Sequence, residues 1–245
     1  MRHFGLGLVL FKISLTAAKV PQAGLSILPH DRLALDAELK YLQVKIDEIG
    51  EHTLLPDIVI FHNAVRYALD DNMFYKPEDV PNAKHLLSLG HRRADQLKAG
   101  KHPWTKETGL VVRGYKSSLD DSVIPYGLDI PPELSQQISK NKRLDIWLHG
   151  RNNTLSEIRF LTERLRKTSQ FRPQNTIVLH PYGRFCNAYK FAGEKDVMES
   201  LHHVKSQYSI DNERIALRGF SMGGAGAWHL GAHYADQWAA VAPGA

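Results

Sequence analysis

From residue 143 onward, short apolar runs alternate with amphipathic runs of helix length, and this alternation admits few folds. Residues 143–148, 175–179 and 214–217 read as strands, and 238–242 begins a further one. Between them, 156–167, 195–208 and 223–234 read as helices. Strands joined through helices run parallel, and such crossovers are right-handed. The expected class is α/β, a mainly parallel sheet flanked by helices. A chain of 245 residues with 43% hydrophobic and 23% charged residues excludes a disordered tail and a fibre.

Upstream the texture differs. Leu35, Leu39, Leu42, Ile46 and Ile49 line one face of a helix that Asp31 would cap and Gly50 would stop. Pro56 starts a second helix carrying Ile58, Phe61, Val65 and Ala68. A third spans 81–98, with Leu86, Leu87, Ala94 and Leu97 inward. Residues 109–116 and 123–130 then form a hairpin, and Pro125 implies an edge or irregular second strand. The expected organisation is an N-terminal extension or signal-like segment over 1–25, a helical region over 26–105, and an α/β domain over 106–245. The basic start and apolar 4–11 would direct the chain to a secreted or periplasmic location if they act as a signal, and otherwise it would be cytoplasmic.

One motif carries chemistry. The strand at 214–217 runs into Gly219-Phe220-Ser221-Met222-Gly223, and a helix follows. G-x-S-x-G between a strand and a helix is a nucleophile elbow. The turn is so sharp that the serine takes a strained conformation, and Gly219 and Gly223 stay small because strand and helix nearly touch. Ser221 is therefore the candidate nucleophile. In this architecture the loop after an earlier strand completes the oxyanion hole, here His149-Gly150-Arg151. The N–H of Met222 and that of Gly150 or Arg151 are the expected donors. His149, Tyr182 and Arg184 follow strands on the same edge and are candidates for the pocket wall. Arg151 and Arg184 could favour a substrate carboxylate, although solvated arginines are commoner.

From Leu144 to Ala245 the chain resembles an α/β-hydrolase of the prolyl oligopeptidase-like kind. It is also similar to the polyhydroxybutyrate depolymerase and feruloyl esterase-like branches. The matching residues are His149-Gly150, Ile210-Asp211, Arg214-Ile215, the run from Gly219 to Gly224, and the final stretch from Trp238 to Ala245. The resemblance implies a partial α/β-hydrolase fold and a serine hydrolase acting on an ester or peptide bond, without a cofactor.

A serine nucleophile needs a histidine base and an acid, which follow the serine in this fold. Between Ser221 and Ala245 the sequence holds His229, His233 and Asp236. His229 falls about 12 Å along the helix from Ser221, at 1.5 Å per residue. Both histidines read as surface or packing residues. His149 or His180 could substitute only as a minor alternative. The expectation is that the acid and base lie beyond residue 245, so that this chain alone is inactive. A non-catalytic binding protein of the same fold is the alternative.

The remaining expectations are absences. One cysteine, Cys186, precludes a disulfide within the chain and a cysteine-based zinc site, and no metal site is expected. No apolar run is long enough to span a bilayer. The net charge of +5 is dispersed, which argues against a nucleic-acid partner. The oligomeric state is not legible.

Overall fold

Apolar residues three and four apart fold the first three helices, α1 (Pro29–Ile49), α2 (Pro56–Asp70) and α3 (Asp79–Lys98). The computed structural model describes residues 22–135 and 142–245, so the signal-like run at the N-terminus lies outside the described residues. Proline opens α1 and α2, where its missing N–H breaks no helical bond. The first helix therefore starts at Pro29, ahead of Asp31. Asp31 is not its cap but sits in the first turn and accepts a 2.6 Å bond from Lys84 of α3.

The chain then alternates as expected. In order come β1 (Gly109–Lys116), β2 (Val123–Ile130), β3 (Lys142–Leu148), α4 (Glu157–Arg166), β4 (Thr176–Pro181), α5 (Ala192–Gln207), β5 (Ile210–Phe220), α6 (Met222–His233) and β6 (Ala240–Gly244). They form a mixed α/β fold around a six-stranded sheet of order β1-β2-β4-β3-β5-β6. Strands β4, β3, β5 and β6 are parallel neighbours. The hairpin β1–β2 joins antiparallel to β4.

Pro125 misleads about β2, which is not an edge strand but lies between β1 and β4. Opposite Pro125, Gly114 of β1 gives its N–H to the Asp57 carboxylate and not to β2. Pairing of β2 with β4 begins only at Tyr126, opposite Pro181, the last residue of β4. The absent N–H of Pro125 thus falls outside both ladders.

This strand order places the functional edge. From β3 the chain moves to β4 on one side, and from β4 it crosses over β3 to β5 on the other. Right-handed crossovers then put α4 on one face and α5 with α6 on the opposite one. The apolar clusters agree. Ile158, Phe160 and Leu161 of α4 pack with the first three helices. Val197 and Leu201 of α5 and Ala227 and Leu230 of α6 pack on Leu144, Ile146, Ile177, Leu179 and Leu217 of the sheet. The chain leaving β3 and the chain leaving β5 part to opposite faces. They open a crevice at the carboxyl ends of those strands, where open α/β sheets bind ligands.

One buried cluster joins the helical layer to the sheet. Asp57 of α2 is 1% exposed. Its Oδ2 accepts from Arg113 Nε at 2.8 Å and Trp104 Nε1 at 2.9 Å, and its Oδ1 from Gly114 N at 2.8 Å. Arg93 of α3 donates to the backbone oxygens of Asp57 and Val112. Burial lowers the Arg93 pKa to about 10, against the pull of the Asp57 carboxylate.

Candidate active site

Strand β5 ends at Phe220, α6 starts at Met222, and Ser221 turns the chain between them with φ 55° and ψ −118°. A positive φ is uncommon for a residue with a Cβ, and the surroundings hold it in place. Ser221 N–H donates to Gly244 O of β6 at 3.0 Å, and Ser221 O accepts from Ala225 N at 3.0 Å. The glycines that flank the serine leave the room this turn needs. A Cβ on Gly223 would land on the backbone carbonyl oxygen of Leu148, and one on Gly219 would land on that of Gly223. The serine itself is exposed.

Met222 is the first residue of α6, so its N–H has no intrahelical partner. It points out of a helix N-terminus, where partial positive charge accumulates. The loop after β3 lies against this point. A Cβ built on Gly150 would sit 3.7 Å from Ser221 Cβ and 3.5 Å from Phe220 O. Gly150 of the expected oxyanion loop is thus within van der Waals reach of the expected nucleophile. A cavity of about 380 Å³ opens beside it, lined by Trp147, His149, Phe160, Phe220 and Arg151 among others.

His149 lines that cavity, but its ring is engaged. Its Nδ1 lies 2.9 Å from Gly150 O and its Nε2 3.0 Å from Tyr182 O. Both partners are carbonyl oxygens, so each ring nitrogen faces a backbone carbonyl and not Ser221. His180 is engaged too. Arg164 donates to its Nδ1 at 2.9 Å, which places the ring proton on Nε2, 2.7 Å from Ser169 Oγ. Burial, reinforced by Arg164, pushes the His180 pKa well down and keeps the ring neutral. Among the described residues no side chain hydrogen-bonds the Ser221 hydroxyl.

Tyr182 contributes its carbonyl to His149, while its ring packs on Phe160 with centroids 5.1 Å apart. Arg184 is turned away from the cavity. Two carboxylates hold it, Asp120 at 2.5 Å and Asp196 at 2.8 Å, and burial raises the Asp196 pKa to about 6 although this guanidinium pulls it down. Arg151 bonds its neighbour Asn153 at 2.8 Å and lines the cavity.

Behind the loop lies Glu157, at the start of α4 and 8% exposed, with Oε2 buried and unpartnered. Burial raises its pKa from 4.5 to about 8, opposed by Arg66. Between these two values the folded state holds a proton that the unfolded state has released. The contribution to stability is complete below pH 4.5 and is lost as pH rises toward 8. The slope is at most about 1.4 kcal/mol per pH unit. Glu157→Gln, which carries no charge to desolvate, is expected to melt close to the native chain near about pH 5 and well above it near about pH 8. Thermal melts at both pH values check this, and a difference that does not grow with pH refutes it.

Sequence reasoning missed one cluster. His229 and His233 of α6 meet Glu194 of α5. The i,i+4 spacing of the histidines was the available signal, and their meeting with Glu194 is set by how α5 and α6 pack.

No protein-family model and no curated protein matches the chain. Solved structures do. A thermostable esterase is 22% identical, with a TM-score of 0.39 over 54% of this chain and 40% of that one. The fluorophosphonate-binding serine hydrolase FphF of Staphylococcus aureus is 17% identical, with a TM-score of 0.43 over 53% of this chain and 54% of that one. S-formylglutathione hydrolase FrmB, also from Staphylococcus aureus, is 18% identical, with a TM-score of 0.41 over 55% and 57%. The chain thus spans between 40% and 57% of the length of these structures. Among the described residues no helix is long and apolar enough to cross a membrane.

Proposed function

We propose that Ser221 is the nucleophile of a serine hydrolase that cleaves a carboxylic ester. The observation that carries this reading is the serine itself, exposed and held at φ 55° between β5 and α6. Strain of this kind survives only where neighbouring structure enforces it, and it concentrates at functional sites. In the reaction Ser221 Oγ forms a bond to the carbonyl carbon as its proton passes to a base. The carbonyl electron pair moves onto oxygen. The N–H groups of Met222 and of Gly150 or Arg151 receive that oxyanion, each donor being worth about 3 kcal/mol of barrier. Collapse expels the alcohol and leaves an acyl-serine for water to cleave.

Neither His149 nor His180 is placed to serve as that base, since both are committed elsewhere. A prolyl oligopeptidase-like peptidase would use the same elbow, and esters are preferred here because they need no strong acid to expel the leaving group. The cavity beside Gly150 would take part of the substrate.

A fluorophosphonate probe tests the proposal. The protein should be labelled at Ser221 and S221A should not. Labelling that does not depend on Ser221, or no labelling at all, would favour a non-catalytic binding protein of the same fold. Hydrolysis rates on matched ester and amide substrates then separate esterase from peptidase.

A further inference from the structure

On the face of the sheet opposite α4, helix α6 carries His229 and His233 one turn apart. Their rings stack edge-on with centroids 4.1 Å apart. Glu194, in the first turn of α5, reaches across to both. Its Oε2 is 2.5 Å from His229 Nε2 and 3.7 Å from His233 Nδ1. One donor atom from each of the three lies within 4.8 Å of the others. We propose that Glu194, His229 and His233 form a binding site for a divalent transition-metal ion, zinc in the first instance, that ties α5 to α6.

The donor chemistry fits. Two imidazoles and one carboxylate are the ligand types that zinc takes at about 2.0–2.2 Å, with a fourth position left to water. Tetrahedral bonds of that length put donor atoms roughly 3.3 Å apart. The two Glu194 spacings bracket this value and the third, between the histidines, is within 4.8 Å, so replacing the His229–Glu194 proton by a metal ion moves the side chains by about 1.5 Å at most. The imidazole proton of His229 then sits on Nδ1, leaving the Nε2 lone pair for the metal. The carboxylate is prepared as well. Tyr234 donates to the other Glu194 oxygen at 2.6 Å, the outer hydrogen bond that orients a metal-binding carboxylate.

The site is about 12 Å along α6 from Ser221, so its role is structural. It steadies the helix whose N-terminus carries the candidate nucleophile, and it stands whether or not Ser221 is catalytic.

Calorimetric titration of the 245-residue chain with Zn²⁺ alone tests the assignment. His233 is 55% exposed at its side chain, so His233→Ala leaves the packing intact. The native chain should bind one equivalent and melt at a higher temperature with zinc. His233→Ala and Glu194→Gln should each weaken binding by more than about tenfold, since even loss of an outer hydrogen bond costs about 10–100-fold. Co²⁺ in place of zinc should give the visible absorption of a four-coordinate ion, absent from His233→Ala. Equal zinc affinity in the native chain and His233→Ala would overturn the proposal, as would no zinc-dependent rise in melting temperature of the native chain.

Discussion

Gly223→Ala is expected to destabilise the chain by about 3 kcal/mol or more and to remove the elbow on which Ser221 stands. Elsewhere in a helix the same change gains up to about 1 kcal/mol, because glycine is the poorer helix former. The sign reverses here because of what the new methyl group meets. It would land on the carbonyl oxygen of Leu148 and 2.9 Å from that of His149. These are backbone atoms of β3 and of the loop after it, and they cannot rotate aside as a side-chain tip can. Either α6 moves off the sheet or β3 breaks its ladder with β5, which runs from Leu144–Ile215 to Leu148–Gly219. Gly150→Ala is the instructive partner, since its Cβ would find no atom closer than 3.5 Å. That variant should fold within about 0.5 kcal/mol of the native chain. Its methyl group would nevertheless stand over Ser221 and slow labelling by a fluorophosphonate. Urea denaturation and labelling, run on both variants, separate the two effects. A Gly223→Ala protein of native stability would mean that the strand–helix contact is looser than described.

The elbow was legible because its constraints are local. A strand period, two glycines spaced around a serine and a helix period sit within one short stretch, and each is a property of neighbouring residues. The same holds for the alternation that built the parallel part of the sheet. What could not be read depends on partners far apart in the chain. Arg184 looks available at a strand end until Asp120 arrives from the hairpin turn and Asp196 from α5. Pro125 marks an edge strand by the usual rule, and only the register with Gly114 and Pro181 shows why it is tolerated inside. His229 and His233 share a helix face, yet Glu194 reaches them through helix packing. The start of α1 is a smaller case. Asp31 has the chemistry of a cap, but Pro29 already has the backbone angle of a helical residue, and Asp31 is drawn to Lys84.

The helical layer offers the other large effect. Asp57→Ala is expected to destabilise the chain by about 3–5 kcal/mol, a substantial share of the roughly 5–15 kcal/mol that holds a typical domain together. The carboxylate is surrounded by donors that have no other outlet. Arg113 is fully buried, and burial works against its charge until the Asp57 carboxylate restores it and raises its pKa overall. Arg113 already leaves one guanidinium nitrogen, Nη2, without a partner, and its remaining contact to the Tyr208 hydroxyl is long at 3.4 Å. Removing Asp57 would strand that cation, the Trp104 indole N–H and the Gly114 N–H together. The cost is that of buried groups left unpaired rather than of one ion pair, and a second variant distinguishes the two. Asp57→Leu combined with Arg113→Met deletes both charges and fills the space with apolar groups. It should recover much of the loss, because an apolar replacement of a buried pair is often neutral. Urea denaturation followed by tryptophan fluorescence reads both, with Trp104 itself as a reporter inside the cluster. A loss below about 1 kcal/mol in Asp57→Ala would show that water reaches Arg113 once the carboxylate is gone. The joint between the helices and the sheet would then rest on the shared apolar cluster of α4 and the first three helices instead.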